Sequence, residues 1–250
     1  MRRTGTARGG NIVAFAVMIA LNAMATSIPL GGKTPPEISA QYPSLFTPAG
    51  FTFSIWALIY LGLLSFVVYQ ALPAQRNDPR LGRIDALFKF NCLANAAWIL
   101  AWHYDYLVLS LLIMAAILVS LLAIYSRLRV PGDVAPPLVR LPFSLYTAWI
   151  CVAAIANISI VQTAFGWDDA GVEAVHWTLL KLALAGAVGA SVVTRKCDAA
   201  FPLVIAWAAY GISVKQAATP AVAGAAFTLV LLSLMLVILE LARRLRSRVT

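Results

Sequence analysis

From residue 11 to residue 242 the chain alternates long apolar runs with short polar interruptions. Eight runs stand out, at about 11–30, 50–72, 86–103, 106–126, 139–163, 174–194, 199–215 and 220–242. A hydrocarbon layer about 30 Å thick takes roughly 20 apolar residues per helical crossing, so each run predicts a membrane helix, the seventh being the shortest. Leu and Ala dominate and period-2 alternation is missing, which argues against a β-barrel. The expected architecture is an all-α membrane protein, a polytopic helical bundle of about eight transmembrane helices.

Composition supports this reading. The chain is 61% hydrophobic and only 12% charged, with a mean hydropathy of +0.84, whereas a soluble domain carries about 25% charged and about 45–50% apolar residues. A single aqueous core could not hide that excess. The first run follows a basic stretch, MRRTGTARGG, and ends in small residues as a secretory signal would. It is long for a signal and contains Asn22, so a retained helix is the preferred reading.

Charge predicts the orientation, because Lys and Arg of short loops stay on the cytoplasmic side. If the crossings alternate, one face collects Arg2, Arg3 and Arg8, the Arg76–Lys89 group, the Arg127–Arg140 group, Arg195 with Lys196, and Arg243 to Arg248. These clusters hold all of the 19 basic residues except Lys33, Lys181 and Lys215. The opposite face receives Glu37, Asp105, Asp168, Asp169 and Glu173. The expected placement is a bacterial inner (plasma) membrane with both termini cytoplasmic. Basic loops facing anionic lipid headgroups account for the net charge of +9, so membrane lipid is expected as a partner and nucleic acid is not.

Signatures of hydrolysis, of phosphate binding and of dinucleotide binding are missing, and no enzyme activity is expected. Of the two histidines, His103 lies beside Asp105 near a helix end, where a solvated cap is preferred over a proton-handling pair; His176 lies near another helix end. Cys92, Cys151 and Cys197 show neither CxxC spacing nor histidine neighbours, so they predict packing residues, not a metal site or a disulfide framework. Lys181 and Lys215 are intramembrane suspects. A Schiff-base role for Lys215 lacks a carboxylate counter-ion in the central segments, and both lysines are expected to reach the outer surface by snorkelling.

Aromatic and amide residues recur at helical spacing. Trp56 and Tyr60 share a face, with Phe53 one turn earlier; Asn95 and Trp98 share another, with Asn91 and Trp102 on the same stripe; Trp149 and Asn157, eight apart, share a third. Three stripes of flat π surface with hydrogen-bonding tips could line a slot for a flat, mostly apolar molecule. The competing reading makes the rings interface anchors and the amides interhelical glue.

The successive stretches FTPAGFTFSIWALIY, NAAWILAW and LPFSLYTAWICVAAIAN resemble the signatures of the TspO/MBR family, the tryptophan-rich sensory proteins related to the mitochondrial translocator protein. Pro48, Phe51, Trp56 and Tyr60 match its second helix, Asn95 and Trp98 its third, and Trp149 and Asn157 its fifth. The resemblance covers roughly residues 11–165. It departs from the family pattern where WILAW lacks a proline after Trp98, where Pro142 stands seven residues before Trp149, and in three added helices from about 174 to 242. It implies a TspO-like five-helix bundle over 1–168, and the three added apolar runs predict a three-helix membrane extension over 169–250. The resemblance also implies a porphyrin-binding pocket lined by Trp56, Tyr60, Asn95, Trp98, Trp149 and Asn157, to which the stripe one turn before Trp56 adds Phe53 as an expected ligand-binding residue, with the connection from Gly31 to Pro48 as a lid.

The resulting expectation is a sensor, regulator or carrier that binds a porphyrin or other tetrapyrrole, a sterol or a similar hydrophobic ligand, requires no cofactor, and is a candidate homodimer. The alternatives are a secondary transporter or permease for a small organic molecule, using Lys181 or Lys215, and a structural membrane subunit.

Overall fold

The computed structural model describes residues 5–28, 32–167 and 173–246. Arg2, Arg3, Gly31, Asp168, Asp169 and Arg248, together with the expected domain boundary at 168/169, lie outside the described residues. In chain order the helices are α1 (Gly5–Ser27), the short α2 (Pro35–Ala40), α3 (Ile55–Ala71), the short α4 (Pro79–Gly82), α5 (Asp85–His103), α6 (Leu107–Arg127), α7 (Pro137–Ala164), α8 (Ala174–Lys196), α9 (Ala200–Lys215) and α10 (Pro220–Arg246). A 3-10 turn, Gly50–Ser54, leads directly into α3.

Each apolar run coincides with one long helix. Among the described residues six of these are long and apolar enough to cross a membrane: α1, α3 with its 3-10 turn, α6, α7, α8 and α10. The other two fall short for different reasons. α5 carries Asp85, Lys89, Asn91 and Asn95 along its length, and α9 has 16 residues, about 24 Å at about 1.5 Å per residue.

The helices pack into two compact units. The first takes in the described residues up to Ile38 and the span Ile55–Thr147; the second takes in Ser39–Ser54 and the described residues from Ala148 onward. In packing terms, the segment 39–54 and the C-terminal half of α7 therefore group with α8, α9 and α10.

In the first unit α1 lies against α3 and α5, and α5 against α6. Phe66, Phe88 and Phe143 form an edge-to-face trio with centroids 4.9–5.9 Å apart, the arrangement that ring quadrupoles favour. Pro142 sits inside α7 without an N–H to donate, and Gly62 of α3 lets that turn approach: a Cβ at Gly62 would lie 3.2 Å from the Pro142 Cβ. At one end Asn11 of α1 donates to Asp85 (2.7 Å) and Gln70 (3.3 Å), giving buried polar groups partners across three helices.

A small hairpin, which the helical pattern did not announce, joins α6 to α7. β1 (Arg129–Val130) pairs antiparallel with β2 (Asp133–Val134) around Pro131 and Gly132, whose φ of +80° suits glycine at a tight turn. Arg83 pairs with Asp133 and Arg80 with Asp78 at 2.9 Å. Asp78 also accepts from the Arg80 backbone N–H, capping α4, and its hydrogen bonds to the Arg80 side chain raise the guanidinium pKa further above its ordinary value.

In the second unit α9 packs on α8 and α10, closely enough that a Cβ at Gly189 would lie 2.6 Å from Ile205 Cδ1. α8 ends at Cys197, in the left-handed conformation at φ 52°; Asp198 then accepts from the Ala200 N–H at 3.1 Å to start α9. The expectation that all three cysteines are packing residues is corrected here. Cys92 is buried and Cys151 half-buried, but Cys197 is exposed, because a helix C-cap turns the chain away from the packed face.

Candidate functional site

In the first unit the 3.6-residue period sets Trp56 and Tyr60 on one face of α3. Their rings stack at 5.2 Å and 25°, and the edge of Trp56 meets Tyr146 of α7 at 5.8 Å. Tyr146 is only 1% exposed, and burial requires its hydroxyl to find a partner: it accepts from Asn95 Nδ2 at 2.7 Å. Asn95 Oδ1 in turn accepts from Asn22 Nδ2 of α1 at 2.8 Å. The chain Asn22–Asn95–Tyr146 thus ties α1, α5 and α7 behind the Trp56–Tyr60 stack.

Both ends of the Asn95 amide are engaged between helices, so in this structure it acts as glue that fixes the rings. Asn91 behaves likewise, donating to Ser120 Oγ (2.8 Å) and the Ile117 carbonyl (3.2 Å) of α6. What the first unit offers a ligand is ring surface, since Trp56 and Tyr60 are both half-buried. Trp98 stacks on Trp102 at 5.6 Å and 21°. Trp102 donates to the Pro35 carbonyl at 3.3 Å, whereas the buried Trp98 Nε1 has no hydrogen-bond partner among the described residues.

In the second unit Phe53 meets Trp149 edge-on at 6.1 Å. Trp149 and Asn157 are both buried on α7. The segment carrying Phe53 is held on α9 by three hydrogen bonds: Ala49 N–H to the Gly211 carbonyl (3.0 Å), Trp207 Nε1 to the Thr52 carbonyl (2.9 Å) and Gln216 Nε2 to the Ser44 carbonyl (3.5 Å). Phe51 packs on Trp207 at 5.5 Å and on Tyr210 at 5.9 Å.

The seven expected residues therefore occur as two sets. Trp56, Tyr60, Asn95 and Trp98 belong to the first unit; Phe53, Trp149 and Asn157 belong to the second. Sequence reasoning missed Asn22, Tyr146, Trp207, Tyr210 and Gly211. Tyr146 lay in plain view three residues before Trp149, and Trp207 with Tyr210 repeats the aromatic spacing already noted elsewhere. Asn22 and Gly211 gave no local signal, because their roles depend on which helix lies opposite.

The ionisable suspects take definite places. His103 is corrected from a solvated cap to a buried ring, 6% exposed, with Nδ1 2.9 Å from the Ile99 carbonyl one turn back on α5. Lys181 donates to Gln162 at 2.6 Å inside the second unit, and Lys215 is exposed at the end of α9. Among the described residues no group of three or more His, Cys, Asp or Glu side chains is arranged to hold a metal.

Comparison with known proteins adds one match. A family model described as TSPO-like protein matches residues 8–239, from α1 through most of α10, well beyond the stretch covered by the quoted motifs. No curated protein and no solved structure is significantly similar to the chain.

Proposed function

The chain belongs to the TSPO-like family, and from that premise we propose that this integral membrane protein binds a flat hydrophobic ligand, a porphyrin or a molecule of similar shape, on its aromatic clusters. The reading is carried by the Trp56–Tyr60 stack. Two parallel rings are held half-exposed and buttressed by Tyr146, which the Asn95–Asn22 pair holds from behind. A surface fixed before the ligand arrives loses less entropy on binding, and stacking on Trp suits a macrocycle. In the second unit the half-buried Phe53 lies edge-on to the buried Trp149, a second aromatic cluster. The protein acts as a sensor, regulator or carrier without turnover. It sits in a bacterial plasma membrane with both termini cytoplasmic, an orientation supported by the clustering of basic residues at alternate helix ends.

Titration of detergent-solubilised protein with protoporphyrin, read by tryptophan quenching, tests the proposal. Wild type is expected to quench saturably. Trp56→Ala is expected to weaken binding by about tenfold, roughly 1.4 kcal/mol, and Trp149→Ala, read separately, tests the second cluster. Quenching that never saturates and ignores both substitutions would reduce these rings to packing.

A further inference from the structure

An apolar groove of about 570 Å³ runs between α8 and α10 in the second unit, remote in chemistry from the aromatic clusters. Its α8 wall is built on small residues, including Ala183, Gly186, Ala187 and Ala190; its α10 wall has Leu229, Leu232, Met235 and Leu236. Ala183, Ala187, Leu232 and Met235 are exposed in the chain itself, and both helices are long and apolar enough to cross a membrane. The groove therefore opens toward lipid.

Its surroundings are not symmetric along the helices. α8 and α10 both end in basic residues, Arg195 and Lys196 on one and Arg243, Arg244 and Arg246 on the other. Those ends are side by side, because the Arg244 guanidinium donates to the carbonyl of Cys197 at the α8 C-cap. At about 100° per residue Arg243, seven positions after Leu236, falls on the stripe that lines the groove, about 10 Å further along the axis. Arg246 lies near the same stripe, while Arg195 falls on the far side of α8. Glu240, 2% exposed, accepts from Arg244 at 2.8 Å and lies 3.9 Å from Arg243. It pairs with both guanidinium groups and leaves this end of α10 net positive.

From the apolar groove and its one basic end we propose that the α8–α10 groove is a binding site for an anionic phospholipid of the adjoining leaflet. The phosphate is held by Arg243 and Arg246 and an acyl chain runs past Leu239 into the groove. Basic pockets between transmembrane helices recognise anionic headgroups in this way, and an acyl chain needs an apolar channel with small residues where it lies against the helix. A hydrocarbon ligand alone would need no arginine, and a headgroup alone no groove.

Native mass spectrometry of the full chain in detergent tests the site, with phosphatidylglycerol and phosphatidylcholine of identical acyl chains as probes. The expected result is retained phosphatidylglycerol in preference to phosphatidylcholine. The preference should fall roughly tenfold in Arg243→Gln with Arg246→Gln, and stay at the wild-type level in Arg195→Gln. Ala187→Phe, which fills the groove from an exposed position, should lower retention of both lipids. Equal retention of the two lipids by wild type would overturn the proposal. So would a loss in Arg195→Gln as large as in the double variant, which would mean unlocalised charge attraction, or undiminished binding by Ala187→Phe. Tryptophan fluorescence of each variant confirms folding, and protoporphyrin binding is read separately, so neither proposal's failure can pass for the other's.

Discussion

At the scale of single residues, the tightest requirement in the second unit falls on Gly211. A Cβ there would lie 1.9 Å from Thr52 Oγ1 and 3.1 Å from Pro48 Cβ, far inside van der Waals contact, and Thr52 is itself wholly buried. The helix at this point runs bare-backboned so that the 3-10 turn before α3 can lie on it and Ala49 can reach the Gly211 carbonyl. Gly211→Ala is therefore expected to destabilise the protein by about 1–3 kcal/mol, the usual cost of forcing extra volume into a packed site, visible as a lowered melting temperature in detergent. Adding Thr52→Ala should restore part of the loss by removing the clashing hydroxyl. Gly186→Ala is the contrasting case: its new methyl would meet only the end of the Leu229 side chain, at 2.9 Å, and a rotamer change can relieve that. Equal losses in Gly211→Ala and Gly186→Ala would show that the close approach at Gly211 is not what matters.

At the scale of elements, the bonds joining helices decide how firmly the aromatic surface is set. Asn22–Asn95 links α1 to α5, and Asn95–Tyr146 links α5 to α7. Hydrogen bonds between membrane helices average about 0.6 kcal/mol and reach about 1.7 kcal/mol. A double-mutant cycle on Asn22→Ala and Asn95→Ala, followed by reversible unfolding in mixed micelles, should give a coupling in that range; additive effects would mean that the two amides do not act together. Between α1 and α3 the connection carries a different device. Glu37 accepts from the Thr34 N–H at 2.7 Å and the Thr34 hydroxyl at 2.8 Å, the reach-back half of a capping box for α2. The backbone bond, more than the hydroxyl, holds the Glu37 carboxyl below the usual carboxylate range. A lowered folded-state pKa means that this stabilisation is present at neutral pH and fades as acidification passes through it. The Thr34 amide is expected to be protected from exchange at pH 7 and to lose that protection on acidification, while Glu37→Gln shows no such pH step. These elements also mark what the sequence could disclose. Long apolar runs state their own helices, so the eight long helices were legible to within a few residues at most ends. Partner choice was not: nothing local to Asn95 names Asn22, and nothing near His103 says that its ring folds back against Ile99 instead of facing water. The 129–134 hairpin escaped because it occupies only a few residues, too few for a period to show.

At the scale of the whole molecule, family membership and charge placement bear on one another. The family match runs through α8, α9 and most of α10, and the segment bearing Phe53 is held by α9 within the second unit. The aromatic motifs were readable because flat rings at i and i+4 leave a visible spacing; their distribution over two packed units was not, because it depends on contacts between segments more than a hundred residues apart. Orientation can be tested with a residue already in the chain. Cys197 is the exposed thiol among the three cysteines, whereas Cys92 is buried in α5 and Cys151 half-buried in α7. It closes α8 beside Arg195 and Lys196, at an end that the proposed topology places in the cytoplasm. A membrane-impermeant maleimide should therefore label Cys197 in inside-out vesicles and leave it unlabelled in intact spheroplasts, with Cys197→Ser abolishing the signal. Labelling from the outer side would reverse the proposed topology. It would also place the groove's Arg243 and Arg246 in the outer leaflet, where the lipid proposed for the groove would then have to be found.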